Sequence, residues 1–322
     1  MIARLRSERG QALIISTVFM TCLLGATAMT LDVGAWFREH RQAQATADAA
    51  ALAAAQALPD GDTTNATAVA TDYGSQNGGG IDPNGVTFGS SWNPNDTVSV
   101  SVHRPTPVFF SKIFGITRPT VHATATARVA LPYAARGAAP ILVNRLNPFL
   151  TGEACGQQLP DSSPNPCYGD TLNLPLGKTG APGAFALVNL DLSQQNGTIG
   201  ASTLGDWIRN GFDGYLKPDY YYSDPGAKWN DQPIQDALTY KENSSNKELL
   251  FPVYDTLTSS GSNAQYLIIG WVGFYLESSV NGGGSSGSIT GWFTRYIADG
   301  IQSSKRDPNE PDFGVRSISL IG

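Results

Sequence analysis

The sequence predicts an α+β fold: a long N-terminal transmembrane helix with a small α+β module, then a mostly β, sandwich-like C-terminal ectodomain. Three observations predict it. Residues 12–31, ALIISTVFMTCLLGATAMTL, carry no charge and are long enough to cross a ~30 Å hydrocarbon layer as a helix. Charged residues make up only 15% of the 322, while Gly (35) and Pro (20) are abundant, a composition of short strands and many turns. Beyond residue 140, short apolar and aromatic runs alternate with turn signals.

The N-terminal run is read as a retained anchor. Arg4, Arg6 and Arg9 precede it and Asp32 follows it, so the positive-inside rule places the N-terminus (1–10) in the cytoplasm and the remainder outside. A cleaved signal peptide is the main alternative, since Ala26-Thr27-Ala28 is a small-residue cleavage pattern. A buried core helix is the other, but such helices rarely stay apolar on every face for this length. Against cleavage, the helical pattern runs past the span (11–32) to about Leu58, and proline first occurs at Pro59. A helix of that length reaches ~70 Å. Its second half, from Ala43 to Ala57, is rich in alanine, which favours helix and permits close packing.

Three cysteines bound the redox chemistry. Cys22 lies in the apolar run and is expected to pack as a small hydrophobe. Cys155 and Cys167 flank CGQQLPDSSPNPC, which suggests a local disulfide and an oxidising compartment. Free thiols and a metal site are the alternatives. Zinc needs more ligands than this segment supplies, and the three histidines, His40, His103 and His122, are not near it in sequence.

Several residues in order now carry a resemblance. Arg9-Gly10-Gln11, the apolar span, Leu31-Asp32-Val33-Gly34 and Ala47-Asp48-Ala49-Ala50-Ala51-Leu52-Ala53-Ala54-Ala55 together resemble the N-terminal signature of the Tad (tight adherence) Flp-pilus assembly family, the TadE/TadG-like proteins. The clear match covers about 50 residues. A looser one extends to Leu131, and a pattern-level one to GAFALVNLDL, LGDWIRNGF, LLFPVYDTL, YLIIGWVGFYL and ITGWF. The resemblance implies a pilin-like α+β module at 36–131 and an ectodomain at 140–322. It also implies a structural or assembly role, location in the bacterial cell envelope, and partners among pilus-assembly or pilin-like membrane proteins. Processing after Gly10 would put Ile15 where such pilins carry glutamate, so an unprocessed accessory protein is favoured over a filament subunit. Asp191-Leu192-Ser193-Gln194-Gln195 has Gln where the von Willebrand factor A metal site of some relatives needs a hydroxyl, so neither that domain nor its metal is expected.

Along the ectodomain, PDGD (59–62) marks a turn and 65–76 a second helix closed by NGGG at 77–80. Strands are expected at 86–88, 97–103 and 120–131, with a short helix in PVFFSKIFG ending at Gly115. Residues 132–140 read as a linker. Further strands are expected at 140–144, 184–190, 248–254, 265–277 and 287–296, with a helix at 203–210 and a hairpin loop at 281–288. A β-sandwich or an open barrel accommodates them.

Function-bearing chemistry is sparse. Basic clustering of the nucleic-acid-binding kind is absent after residue 41. Catalytic motifs such as G-x-S-x-G, H-E-x-x-H or a P-loop do not occur, and no catalytic residue, metal or cofactor is expected. Asp191, Asp206, Asp213 and Asp255 are candidate hydrolytic carboxylates or, more simply, turn and cap residues. Trp207, Tyr215, Tyr220, Tyr221, Tyr222 and Trp229 fall in a loop-rich stretch. Five of them, Trp207, Tyr220, Tyr221, Tyr222 and Trp229, are the candidate partner or glycan surface, with core packing the competing reading. DPNEPDF (307–313) reads as a solvated loop or a Ca²⁺ ligand set. An adhesin on the same anchor is the alternative function.

Overall fold

In the computed structural model the described residues are 4–58, 63–117, 119–161, 163–177, 182–193, 199–224, 226–258, 264–283, 286–302 and 310–322. The turn expected at 59–62 lies outside them, as do parts of the 281–288 loop and the 307–313 segment. The chain forms two compact units: residues 1–128 with 319–322, and residues 129–318.

The first unit begins with α1 (Arg4–Ala57), continuous as expected, followed by α2 (Thr63–Gln76). Strands β1 (Ile81–Gly89), β2 (Thr97–Pro105) and β3 (Thr120–Ala130) form an antiparallel meander, with a 3₁₀ turn (Ser111–Phe114) between the last two. Burial along α1 follows its sequence. Residues 11–27 are exposed throughout, and burial starts at Asp32 and recurs at Ala43, Ala47, Ala50 and Ala54. Those alanines pack with Ala66 and Ala70 of α2 and Val98, Val100 and Val102 of β2. Small side chains let the helix lie close against its neighbours, and alternation in VSVSV supplies the apolar face of β2. Ser99 and Ser101 point the other way and meet Thr126 and Thr124 across the strand pair at 2.8 and 3.2 Å. β1 is longer than its apolar core suggests. Its pairing shifts register between Ile81 and Val86, a bulge that hides the start of the strand from period-two reading.

Arg104 ties this unit together. It is buried, and its guanidinium donates to Thr46 Oγ1 (3.0 Å), Asn77 O (2.6 Å) and Gly79 O (3.0 Å). Gly78, Gly79 and Gly80 all have positive φ, which lets the NGGG backbone wrap the arginine with its carbonyls inward. The chain's last residues return to this unit, Gly322 O accepting from Thr126 N and Ile321 N donating to Thr126 O (2.9 Å).

The second unit holds β4 (Pro132–Ala135), β5 (Ile141–Asn144), α3 (Pro148–Thr151), β6 (Leu172–Pro175), β7 (Phe185–Val188), α4 (Ala201–Asn210), β8 (Tyr220–Asp224), α5 (Gln232–Asn243), β9 (Glu248–Leu257), β10 (Gln265–Asn281), β11 (Gly287–Thr294), β12 (Tyr296–Ile297) and β13 (Gly300–Gln302). The start of β14 (Val315–Leu320) pairs in parallel with β12. The main sheet runs β6-β11-β10-β8-β7-β5-β9, and β9 also pairs with β10. Five strands thereby close into a ring, the barrel form of the two arrangements the sequence allows. The long β10 makes closure possible: its first residues, 265–267, pair with β8, its last, 273–281, with β11, and residues 266–275 pair along its other edge with β9.

Aromatic rings fill this core. Phe251 stacks on Phe274 (4.8 Å between centroids), Phe274 meets Phe293 edge-on (5.7 Å), and Phe185 meets Trp229 (4.6 Å). The apolar faces of α4 (Leu204, Ile208) and α5 (Ile234, Leu238) are buried at four-residue spacing. An expectation about the chain's organisation fails in this unit. Residues 132–140 are not a linker: β4 pairs with β13, and Ala134, Ala135, Ala138 and Ala139 are buried. Alanine and glycine carry no period-two signature, so a strand made of them resembles a loop in sequence.

Candidate membrane-interface site

The motif Leu31-Asp32-Val33-Gly34 sits where α1 passes from fully exposed to packed. Leu31 and Gly34 face outward, Val33 is half-buried, and Asp32 is 3% exposed. The Asp32 carboxylate accepts from Phe109 N (2.8 Å), Phe110 N (3.1 Å), Ser111 N (2.6 Å) and the Ser111 hydroxyl. Three successive amides converging on one carboxylate form an anion-holding nest at the start of the 3₁₀ turn, so a helical residue far away in sequence caps it. The 106–119 loop is closed at its base by Thr106, whose N–H and hydroxyl both donate to Pro119 O (2.8 and 2.7 Å). Gly115, at φ 81°, ends the turn.

Beside Asp32 lies a cleft of about 820 Å³ between α1 and this loop. Leu24, Met29, Val33, Trp36, Phe110 and Ile116 line it. Phe109, Phe110 and Ile116 are 61%, 40% and 44% exposed.

Below Asp32 the helix suits lipid. Leu13, Ile14, Ile15, Val18, Phe19, Met20, Leu23 and Leu24 are all exposed. The hydroxyls of Ser16, Thr17, Thr21, Thr27 and Thr30 each donate to the carbonyl four residues earlier, at 2.7–2.9 Å. Their hydrogen bonding is thus satisfied within the helix. Cys22 is exposed on this apolar surface, and residues 11–27 are all exposed among the described residues.

The other motif residues divide by role. Arg9, Gly10 and Gln11 lie within α1, Gln11 exposed. Ala47 and Ala50 are fully buried against the sheet and α2, Ala49 is half-buried, and Asp48 accepts from Gln44 Nε2 (2.8 Å) one turn earlier. His103 and His122 are cross-strand partners with rings 4.4 Å apart, both exposed.

Cys155 and Cys167 are disulfide-bonded. Asp170 lies close to their sulfurs, but a disulfide offers no thiolate to a metal. The carboxylates considered for hydrolysis are separately engaged: Asp191 with Ser193, Asp206 with Asn210, Asp213 with Arg136, Asp255 with Arg145.

The aromatic stretch is not one surface. Trp207, Tyr221 and Trp229 are buried, Tyr222 is half-buried, and Tyr220 and Tyr215 are exposed. Trp229 is wholly enclosed, and Tyr221 donates its hydroxyl to Lys217 O (3.0 Å). Burial pushes the Tyr221 hydroxyl up to about 12. Clustering in sequence misled because β8 alternates faces and Trp207 lies on the inner face of α4. The Asp32 nest, by contrast, was visible only as a motif residue. Its partners lie more than seventy positions away and contribute backbone groups, which leave no trace in side-chain identity.

These features define a class: an α+β protein whose first helix is a candidate single membrane span and whose first folded unit is built directly on that helix. Residues 10–57 match the model of the family described as "Putative Flp pilus-assembly TadE/G-like", so this segment is similar to that Tad/Flp pilus-related family. No curated protein and no solved structure matches the chain.

Proposed function

We propose that this chain is a membrane-anchored, non-catalytic component of a Flp-type pilus assembly system, with its N-terminus in the cytoplasm and its ectodomain outside. The observation that carries the reading is a coincidence of boundaries. The family match spans the lipid-compatible stretch and the alanine stripe that carries the first unit, one helix doing both jobs. The Cys155–Cys167 disulfide supports an extracytoplasmic second unit. Separate engagement of the four aspartates supports a structural role. The partners proposed are other pilus-assembly or pilin-like membrane proteins, which α1 meets in the bilayer.

The test is deletion of the gene in its native host, with the full chain restored in trans. Loss of surface pili and co-purification of other pilus-assembly proteins from detergent-solubilised membranes are expected. Normal piliation with no such co-purification would sink the proposal. Glycan binding by Tyr220 and Tyr222 is a separate outcome, read by loss of polysaccharide binding in their alanine variants.

A further inference from the structure

The geometry points to a second membrane element: the 107–116 turn sits in the leaflet next to the ectodomain, and the cleft between it and α1 holds a phospholipid acyl chain. This rests on α1 being membrane-inserted. Three observations carry it.

The first is depth. The Asp32 nest fixes the turn against the last turn of the uncharged run, so Phe109, Phe110 and Ile116 project where that run ends. The second is the cleft's extent. It reaches from Trp36 down to Thr21 on a helix face open to lipid. From Thr21 to Asp32 the helix rises ~16 Å, about one leaflet of a ~30 Å hydrocarbon core. An apolar cleft of that length, continuous with a lipid-facing surface, is filled by the chain of a neighbouring lipid. The third is Trp36. It lines the cleft at the expected depth of the glycerol esters, and its buried indole N–H has no acceptor among the described residues. The amphipathic indole suits the headgroup level, where interfacial tryptophans sit. Lys112, exposed on the same turn, is placed to meet the phosphate.

The experiment uses the full chain in vesicles of phosphatidylethanolamine and phosphatidylglycerol. Cys22→Ser removes the free thiol, and nitroxides are attached to single cysteines in Phe19→Cys, Phe110→Cys and Tyr240→Cys variants. Collision with oxygen and with a water-soluble nickel chelate reads their surroundings. Positions 19 and 110 are expected to favour oxygen, and position 240 nickel. Position 110 in water with position 19 in lipid overturns the second element and leaves the anchor standing. Position 19 in water overturns the anchor, and this inference with it. For the cleft, a phospholipid with a mid-chain diazirine is expected to label Met29 or Trp36, and Trp36→Phe to lower that labelling severalfold. Chain-to-chain crosslinks from a photoreactive group at Met29, in place of lipid adducts, overturn the acyl occupant in favour of a second copy.

Discussion

Asp32 shows how a single charge works at a boundary. A carboxylate at the end of an apolar run would be costly in lipid, yet here it receives three amides and a hydroxyl. Asp32→Ala strips those amides of their acceptor. Hydrogen exchange at Phe109, Phe110 and Ser111 is expected to speed up by about tenfold or more, with little change at β2. Unchanged protection would show that the turn holds itself. Asp96 does similar work in the loop between β1 and β2. Burial alone would raise its pKa, but hydrogen bonds from the amides of Ser91, Asn93 and Trp92 and the Ser91 hydroxyl outweigh it, and the net shift is downward from 3.8. Its stabilising contribution is therefore complete above the unfolded value of about 3.9 and is lost as pH falls through the lower folded value. The wild type is expected to lose stability in that acid window more steeply than Asp96→Asn, measured as Tm against pH in detergent.

At the scale of elements, packing decides what propensity leaves open. Trp229 belongs to a 3₁₀ turn (Gly226–Asn230) and lies wholly inside the second unit, against Phe185 and Gly287. A Cβ on Gly287 would fall 2.3 Å from the indole nitrogen, so the ring and the glycine are chosen together. Trp229→Ala is expected to cost about 3–5 kcal/mol in chemical denaturation of the full chain, far more than Tyr220→Ala at an exposed site of the neighbouring strand. Equal effects would contradict the enclosed position. Element existence was legible wherever side chains mark a period: α1, α2, α4, β2, β3, β9, β10 and β11 follow their apolar spacing. α5 was missed because QPIQDALTYKEN shows a short polar-rich pattern whose apolar stripe, Ile234, Ala237 and Leu238, is only one turn wide. β4 (PYAA) and β13 (GIQ) escape the sequence reading because strands of four and three residues are too short to show alternation.

For the molecule as a whole, α1 is both a candidate membrane span and the scaffold of the first unit. The full chain is expected to stay with membranes through alkaline carbonate washing and to leave only with detergent. Leu24→Arg, placing a charge within the span at a cost of about 2.5–3.5 kcal/mol, is expected to shift part of the population out of the membrane fraction. Wild-type release by carbonate would contradict the anchoring. The family match ends at residue 57, so the rest of the first unit and the whole second unit rest on the physical reading of their own residues.

The sequence by itself determined the candidate span, the helix beyond it and most strands, because hydrophobic length and periodicity are local properties written in consecutive side chains. It also brought Cys155 and Cys167 within reach of one another across a short loop. Only the tertiary structure decided that β9 closes on β10, that Trp207, Tyr221 and Trp229 face inward, and that Asp32 holds a turn from elsewhere in the chain. Each of those depends on which backbone groups and faces meet across long separations, and backbone amides are the same at every residue except proline.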